Sequence, residues 1–284
     1  MPQAAINGIT LNYEVAGTGA PLLLIMGLGG TLDGWRKELP FLTDHFQVIY
    51  YDNRGVGQTT APTDFTAYSM EHFAADAIGL LDHLGIERAH VWGVSMGGMI
   101  AQHVALNYPE RVQGLVLGCT LSHYTNDPSA IPTLPAEFQA EASNLAPEAW
   151  VLELMLSGTQ KSAEQVMQDS VRFNFAPAFV AAHPELIEEY IEVGMRNHGP
   201  AHGFMGQWSA IMNHSTIERL PKLQHPTLVQ HGDADALVPI GNGRLLAYLL
   251  PHAEFQLIPG SGHCYFIEQP ELASQGVKAF LQSL

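Results

Sequence analysis

The sequence predicts an α/β fold: a mostly parallel central sheet with helices on both faces and a helical insertion between two of its later strands. Three observations predict it. Short strands alternate with helical stretches through the first 120 residues and again from residue 221. Those strands read as apolar runs, as strands buried on both faces of a parallel sheet do. Between the two blocks the strand rhythm stops, and residues 121–220 have a helical, proline-punctuated texture rich in Met, Phe and Trp.

Residues 9–15 (ITLNYEV) alternate like an exposed early strand. Residues 21–27 (PLLLIMG) and 47–53 (QVIYYDN) are short apolar runs, each ending in turn-forming residues. Residues 69–85 carry apolar side chains at helical spacing, with Gly85 placed as a C-terminal stop. A strand at 89–95 (AHVWGVS), a helix at 97–112 and a strand at 112–119 (VQGLVLGC) complete the first block. The insertion has its clearest helices at 149–158, 184–197 and 203–214. After it come a strand at 226–233 (PTLVQHGD), a helix at 243–251, a strand at 253–260 (AEFQLIPG) and a closing helix at 270–284. The expected division is a core of residues 1–120 and 221–284 with a helical cap, or lid, of residues 121–220.

Composition narrows the function. The chain of 284 residues is 46% hydrophobic and 14% charged, which suits a large packed core. Its formal net charge of −16 repels phosphate backbones and anionic lipid, arguing against nucleic acid or membrane as partner. The first residues, MPQAAINGITLNYE, lack the basic and apolar regions of a signal peptide, and 21–30 are too few and too glycine-rich to span a bilayer. With only Cys119 and Cys264, read as reduced thiols, the expected location is cytoplasmic.

Chemistry concentrates at Gly93-Val94-Ser95-Met96-Gly97, a G-x-S-x-G sequence directly after a strand and opening a helix. Small flanking residues allow the sharp turn that exposes the serine hydroxyl, and the helix N-terminus behind it favours developing negative charge. A serine needs a base, and the base needs a carboxylate to orient it. Polar residues just past strand ends supply both: Asp233 and Asp235 in HGDADALVP, and His263 in PGSGHCYFIEQP. Of the 14 histidines, His263 stands apart through its Gly-Ser-Gly lead-in, which lets the loop approach Ser95 closely. A tetrahedral oxyanion needs two donors, expected from the backbone N–H of Met96 and of Leu28 in the loop 26–30. Trp150, Phe204, Trp208 and Leu237 are candidates for an apolar acyl pocket. H-E-x-x-H, C-x-x-C, G-x-G-x-x-G and Walker A sequences are absent, so no metal and no cofactor is expected.

These blocks, PLLLIMGLGG, YDNRGVGQT, VWGVSMGGMIAQ, HGDADALVP and PGSGHCYFIEQP, resemble the α/β-hydrolase fold superfamily in order and spacing over nearly the whole chain. The resemblance is to the serine esterase or lactonase-like branch with a helical cap. It implies Ser95 as nucleophile, Asp235 rather than Asp233 as acid, His263 as base, and an architectural role for Asp52, Arg54, Gly55 and Gly57. Serine at 95 sets the chain apart from the aspartate-nucleophile dehalogenases and epoxide hydrolases. One departure is Met26-Gly27, where many members carry His-Gly. The implied activity is cofactor-free hydrolysis of a small-molecule carboxylic ester or lactone. Enol-lactonase, carbon–carbon bond hydrolase, perhydrolase and a non-catalytic ligand receptor stay open on the same fold.

Overall fold

The computed structural model describes residues 2–124, 145–157, 161–197 and 199–284. Eight strands form one sheet in the order β1-β2-β4-β3-β5-β6-β7-β8. They are β1 (Gln3–Ile6), β2 (Ile9–Ala16), β3 (Ala20–Ile25), β4 (Phe46–Tyr51), β5 (Ala89–Val94), β6 (Val112–Gly118), β7 (Thr227–Gly232) and β8 (Ala253–Ile258). β1 and β2 are antiparallel to their neighbours, and every pairing from β4 through β8 is parallel.

The first hairpin escaped the sequence reading. Asn7 and Gly8 form its two-residue turn, both at positive φ (48° and 78°), the geometry that matches strand twist in such turns. β2 is also less exposed than its alternation suggests. Asn12 is buried because its side-chain amide donates to Asp52 Oδ2 at 2.8 Å.

Among the described residues the helices longer than one turn are α1 (Met70–His83), α2 (Met96–Asn107), α3 (Ala149–Leu156), α4 (Ala163–Asn174), α5 (Pro177–Ala182), α6 (Pro184–Asn197), α7 (Ala201–Met212), α8 (Gly241–Leu249) and α9 (Pro270–Gln282). Side chains alternate across a strand, so β3 feeds two cores. Leu23 and Ile25 join α1 and α2 on one face, while Leu22 and Leu24 join Trp35 and α9 on the other. All six residues of β5 and of β7 are buried, including the polar Thr227, Gln230 and His231 of β7. Gly85 follows α1 at φ 69°, the left-handed stop expected there.

Helices α3 to α7 lie between β6 and β7, which is where the insertion was expected. Of that stretch, 125–144, 158–160 and 198 lie outside the described residues. Among the described residues no helix is long and apolar enough to cross a membrane. Cys119 and Cys264 are both buried and free.

Candidate active site

Ser95 sits between β5 and α2 with φ 55° and ψ −124°, a conformation rarely adopted by a residue with a side chain. The neighbours hold it there. A Cβ on Gly93 would fall 2.1 Å from Gly97 O, and one on Gly97 would fall 2.0 Å from Ile25 O. Both glycines are therefore steric requirements of the turn. Ser95 N–H donates to Gly118 O at 2.9 Å and Thr120 Oγ1 donates to Ser95 O at 2.7 Å, so β6 and its end clamp the strained residue from the side.

His263 follows β8 and Asp235 follows β7. The two loops lie on one another: Ala234 N–H donates to Ser261 O at 2.9 Å, and a Cβ on Gly232 would meet the same oxygen at 2.2 Å. Gln269 Nε2 fastens the second loop by donating to Pro259 O (2.6 Å) and Ser261 Oγ (2.7 Å). In this setting His263 Nδ1 is 2.8 Å from Asp235 Oδ2. A carboxylate only accepts, so Nδ1 carries the proton and Nε2 is left as the basic nitrogen.

Asp235 is buried and saturated with donors. Its Oδ1 accepts from Leu237 N–H (2.9 Å) and Val238 N–H (2.8 Å), while Oδ2 faces both His263 and, at 3.3 Å, His231 Nε2. His231 Nε2 lies 2.7 Å from Val238 O and so must be its donor nitrogen. Burial pushes the Asp235 carboxyl up, but His263 and then His231 outweigh it and bring it down to about 2. Asp233 has a different task, accepting Gly260 N–H at 2.6 Å at an exposed position between the same loops.

Opposite Ser95 the end of β3 comes close enough that a Cβ on Gly27 would be 3.0 Å from Ser95 Cβ and 3.4 Å from its Oγ. Asn53 Nδ2 holds this end by donating to Met26 O at 2.9 Å. Neither Leu28 N–H nor Met96 N–H has an acceptor among the described residues. The Met26 side chain, at the family's His position, packs beneath the loop: a Cβ on Gly30 or Gly34 would come within 2.6 or 2.5 Å of it.

Ser95, His263, Leu28, Phe204 and Leu237 line one cavity of about 340 Å³. Trp150 and Trp208 are not among its lining residues, a correction to the sequence expectation. Trp150 Nε1 donates to Glu148 Oε2 at 3.0 Å, and the Arg172 guanidinium lies over the ring at 5.6 Å. Trp208 points from α7 toward Tyr124, ring edge to face at 5.9 Å.

Several supporting residues were missed. Buried Gln207 on α7 accepts Gly29 N–H at 2.8 Å and donates to Arg54 O at 2.9 Å. His231 shares the Asp235 carboxylate. Glu268 accepts N–H groups of Gly262 (2.9 Å) and Ala176 (3.1 Å), joining the His263 loop to the α4–α5 corner. Only the first of these had any sequence signal, as a polar residue inside an apolar helical stretch. The Asp52 loop is architectural: its carboxylate accepts Leu32 N–H (2.8 Å) and Gln58 N–H (2.9 Å), and Arg54 makes a bidentate pair with Asp76 at 2.6 and 2.7 Å.

A family model described as the alpha/beta hydrolase fold matches residues 20–270. The 3-oxoadipate enol-lactonase 2 of Acinetobacter baylyi is 26% identical over 276 residues, covering 96% of this chain and 94% of its own length. The poly(3-hydroxyalkanoate) depolymerase of Ectopseudomonas oleovorans is 30% identical over 266 residues, 92% of this chain and 84% of that one. The crystal structure of the enol-lactonase from Burkholderia xenovorans LB400 matches with a TM-score of 0.83 at 26% identity, covering 99% of this chain and 100% of that one.

Proposed function

The chain belongs to the α/β-hydrolase fold family, and on that footing we propose that it is a serine hydrolase cleaving carboxylic ester or lactone bonds through an acyl-enzyme. The observation that carries the reading is the 2.8 Å contact of His263 Nδ1 with a deeply buried Asp235, with His263 and the strained Ser95 on the wall of one cavity. The relatives add support, since lactone opening and polyester cleavage both break an acyl–oxygen bond.

In this reading Ser95 Oγ attacks the carbonyl carbon and His263 Nε2 takes its proton. Asp235 holds the imidazole tautomer and stabilises the imidazolium, and its many donors keep it ionised. The N–H groups of Leu28 and Met96, lacking other acceptors, receive the oxyanion. Collapse expels the alkoxide, protonated by His263, and a water activated by the same nitrogen releases the acid. In a lactone the leaving oxygen stays tethered to the acyl group. None of these steps needs a cofactor. Met26 in place of His leaves the hole intact, because its donors are backbone groups.

Ser95→Ala tests the reading. It should abolish turnover of p-nitrophenyl esters and labelling by a fluorophosphonate while leaving the melting temperature within about 2 °C, since only one hydroxyl at the cavity wall is removed. Retained turnover would sink it. A ligand receptor on the same fold would show labelling without repeated turnover.

A further inference from the structure

The cavity wall separates two kinds of ester. Beyond Ser95 and His263 much of it is built of apolar side chains, among them Met155, Val166, Phe173, Leu186, Phe204 and Ile267. Its volume of about 340 Å³ fits a small ligand. Polar side chains also occur, but they are engaged with one another. Tyr190 Oη accepts from Asn174 Nδ2 at 2.9 Å and shares a hydrogen bond with Ser170 Oγ at 3.3 Å, and Ser170 Oγ donates to Met167 O at 2.7 Å.

The charges on the wall are matched. Its cations are Arg36, Lys37 and Lys161, and its carboxylates are Asp33, Asp169 and Glu189. Glu189 on α6 accepts from both Arg36 (2.8 Å) and Lys37 (2.8 Å), and Asp169 on α4 accepts from Lys161 at 2.5 Å. Residues 125–144, 158–160 and 198 contain no lysine or arginine, and His198 is their one histidine. A substrate carboxylate on this wall would meet cations already engaged by Glu189 and Asp169, and losing its hydration without a free partner is unfavourable.

We infer that the site takes a neutral ester or lactone with an apolar acyl chain of medium length and rejects one whose chain ends in a carboxylate. This rests on the ester-hydrolase reading for its chemistry but on the cavity wall for its selectivity. Each added methylene that leaves water should raise kcat/KM about fourfold until the cavity is full. A terminal carboxylate should cancel that gain.

The test compares p-nitrophenyl acetate, butyrate and hexanoate with mono-p-nitrophenyl adipate, which has the hexanoate chain length but ends in a carboxylate. Expected are a rise from acetate to hexanoate and an adipate kcat/KM about 100-fold below hexanoate. Glu189→Gln, which removes the counter-charge of Arg36 and Lys37, should narrow that gap about fivefold. An adipate ester within tenfold of hexanoate, or a gap unmoved in Glu189→Gln, overturns the inference. Should the protein turn over no ester, the hydrolase reading fails, and selectivity is read by calorimetry instead. Methyl hexanoate binding more tightly than monomethyl adipate then supports the inference, and equal or reversed affinities overturn it.

Discussion

Gln207 and Gly29 lie 178 positions apart, yet the Gln207 amide oxygen accepts the Gly29 N–H at 2.8 Å while its nitrogen donates to Arg54 O. One fully buried side chain from α7 thus fixes the loop that offers Leu28 N–H to the site. Gln207→Leu leaves the buried Arg54 carbonyl and the part-buried Gly29 N–H unpaired, at up to about 1–3 kcal/mol for the buried group. Its kcat should fall about tenfold or more through a small displacement of Leu28 N–H, the proposed oxyanion donor, with KM changed far less. An unchanged kcat in a folded variant would show that the loop holds its position without Gln207.

Gly93 and Gly97 have no room to give, because what their Cβ atoms would meet is backbone. Gly97→Ala should therefore destabilise the protein by about 3 kcal/mol or more, the range of severe overpacking. Thermal unfolding reads this as a loss of about 6–12 °C. A fall of less than about 2 °C would mean that β3 and α2 can part freely.

Arg54 and Asp76 form a bidentate pair with both side chains almost fully buried. Removing one partner leaves the other charge stranded, so Asp76→Leu should cost about 3–5 kcal/mol. The double variant Arg54→Met with Asp76→Leu should recover most of that loss. A denaturant-unfolding double-mutant cycle with additive effects would contradict the pairing.

Acid should drain stability over two pH ranges. Burial, with His103 nearby, depresses His214 from 6.5 to about 3, and Asp235 is depressed from 3.8 to about 2. In both cases the unfolded chain binds the proton first, so stability falls as pH falls. The His214 share is intact above about 6.5 and drains toward about 3, while the Asp235 share is intact above about 3.8 and drains toward about 2. His214→Gln, which keeps a donor for Leu121 O, should flatten the decline in melting temperature between pH 6.5 and 4. An equal decline in both proteins would assign the acid sensitivity elsewhere.

Much of this architecture was legible because strands buried on both faces of a parallel sheet are mostly apolar, as β3 and most of β5 are, and because the Ser95 turn tolerates only glycine at two flanking positions. The order of Ser95, Asp235 and His263 past strand ends was equally legible, being a matter of chain position. Contacts across the insertion were not. Nothing local in α7 says that Gln207 meets Gly29, or that Trp208 turns toward Tyr124 rather than into the cavity. Trp150 misled for a related reason: its aromatic ring suits a pocket wall, but Glu148 and Arg172 hold it outside. The β1 hairpin was signalled by Asn7-Gly8, a turn dipeptide preceded by too short an alternation to register.

The most direct measurement is the covalent state of Ser95 during turnover. Rapid mixing with p-nitrophenyl hexanoate, followed by acid quench and peptide mass analysis, should show one hexanoyl group on the Ser95 peptide. Substitution of His263 by Ala should suppress the adduct about 10³-fold or more in rate. Ester turnover with no acyl group on Ser95, or an adduct forming as fast without His263, would contradict nucleophilic catalysis by this serine and its histidine.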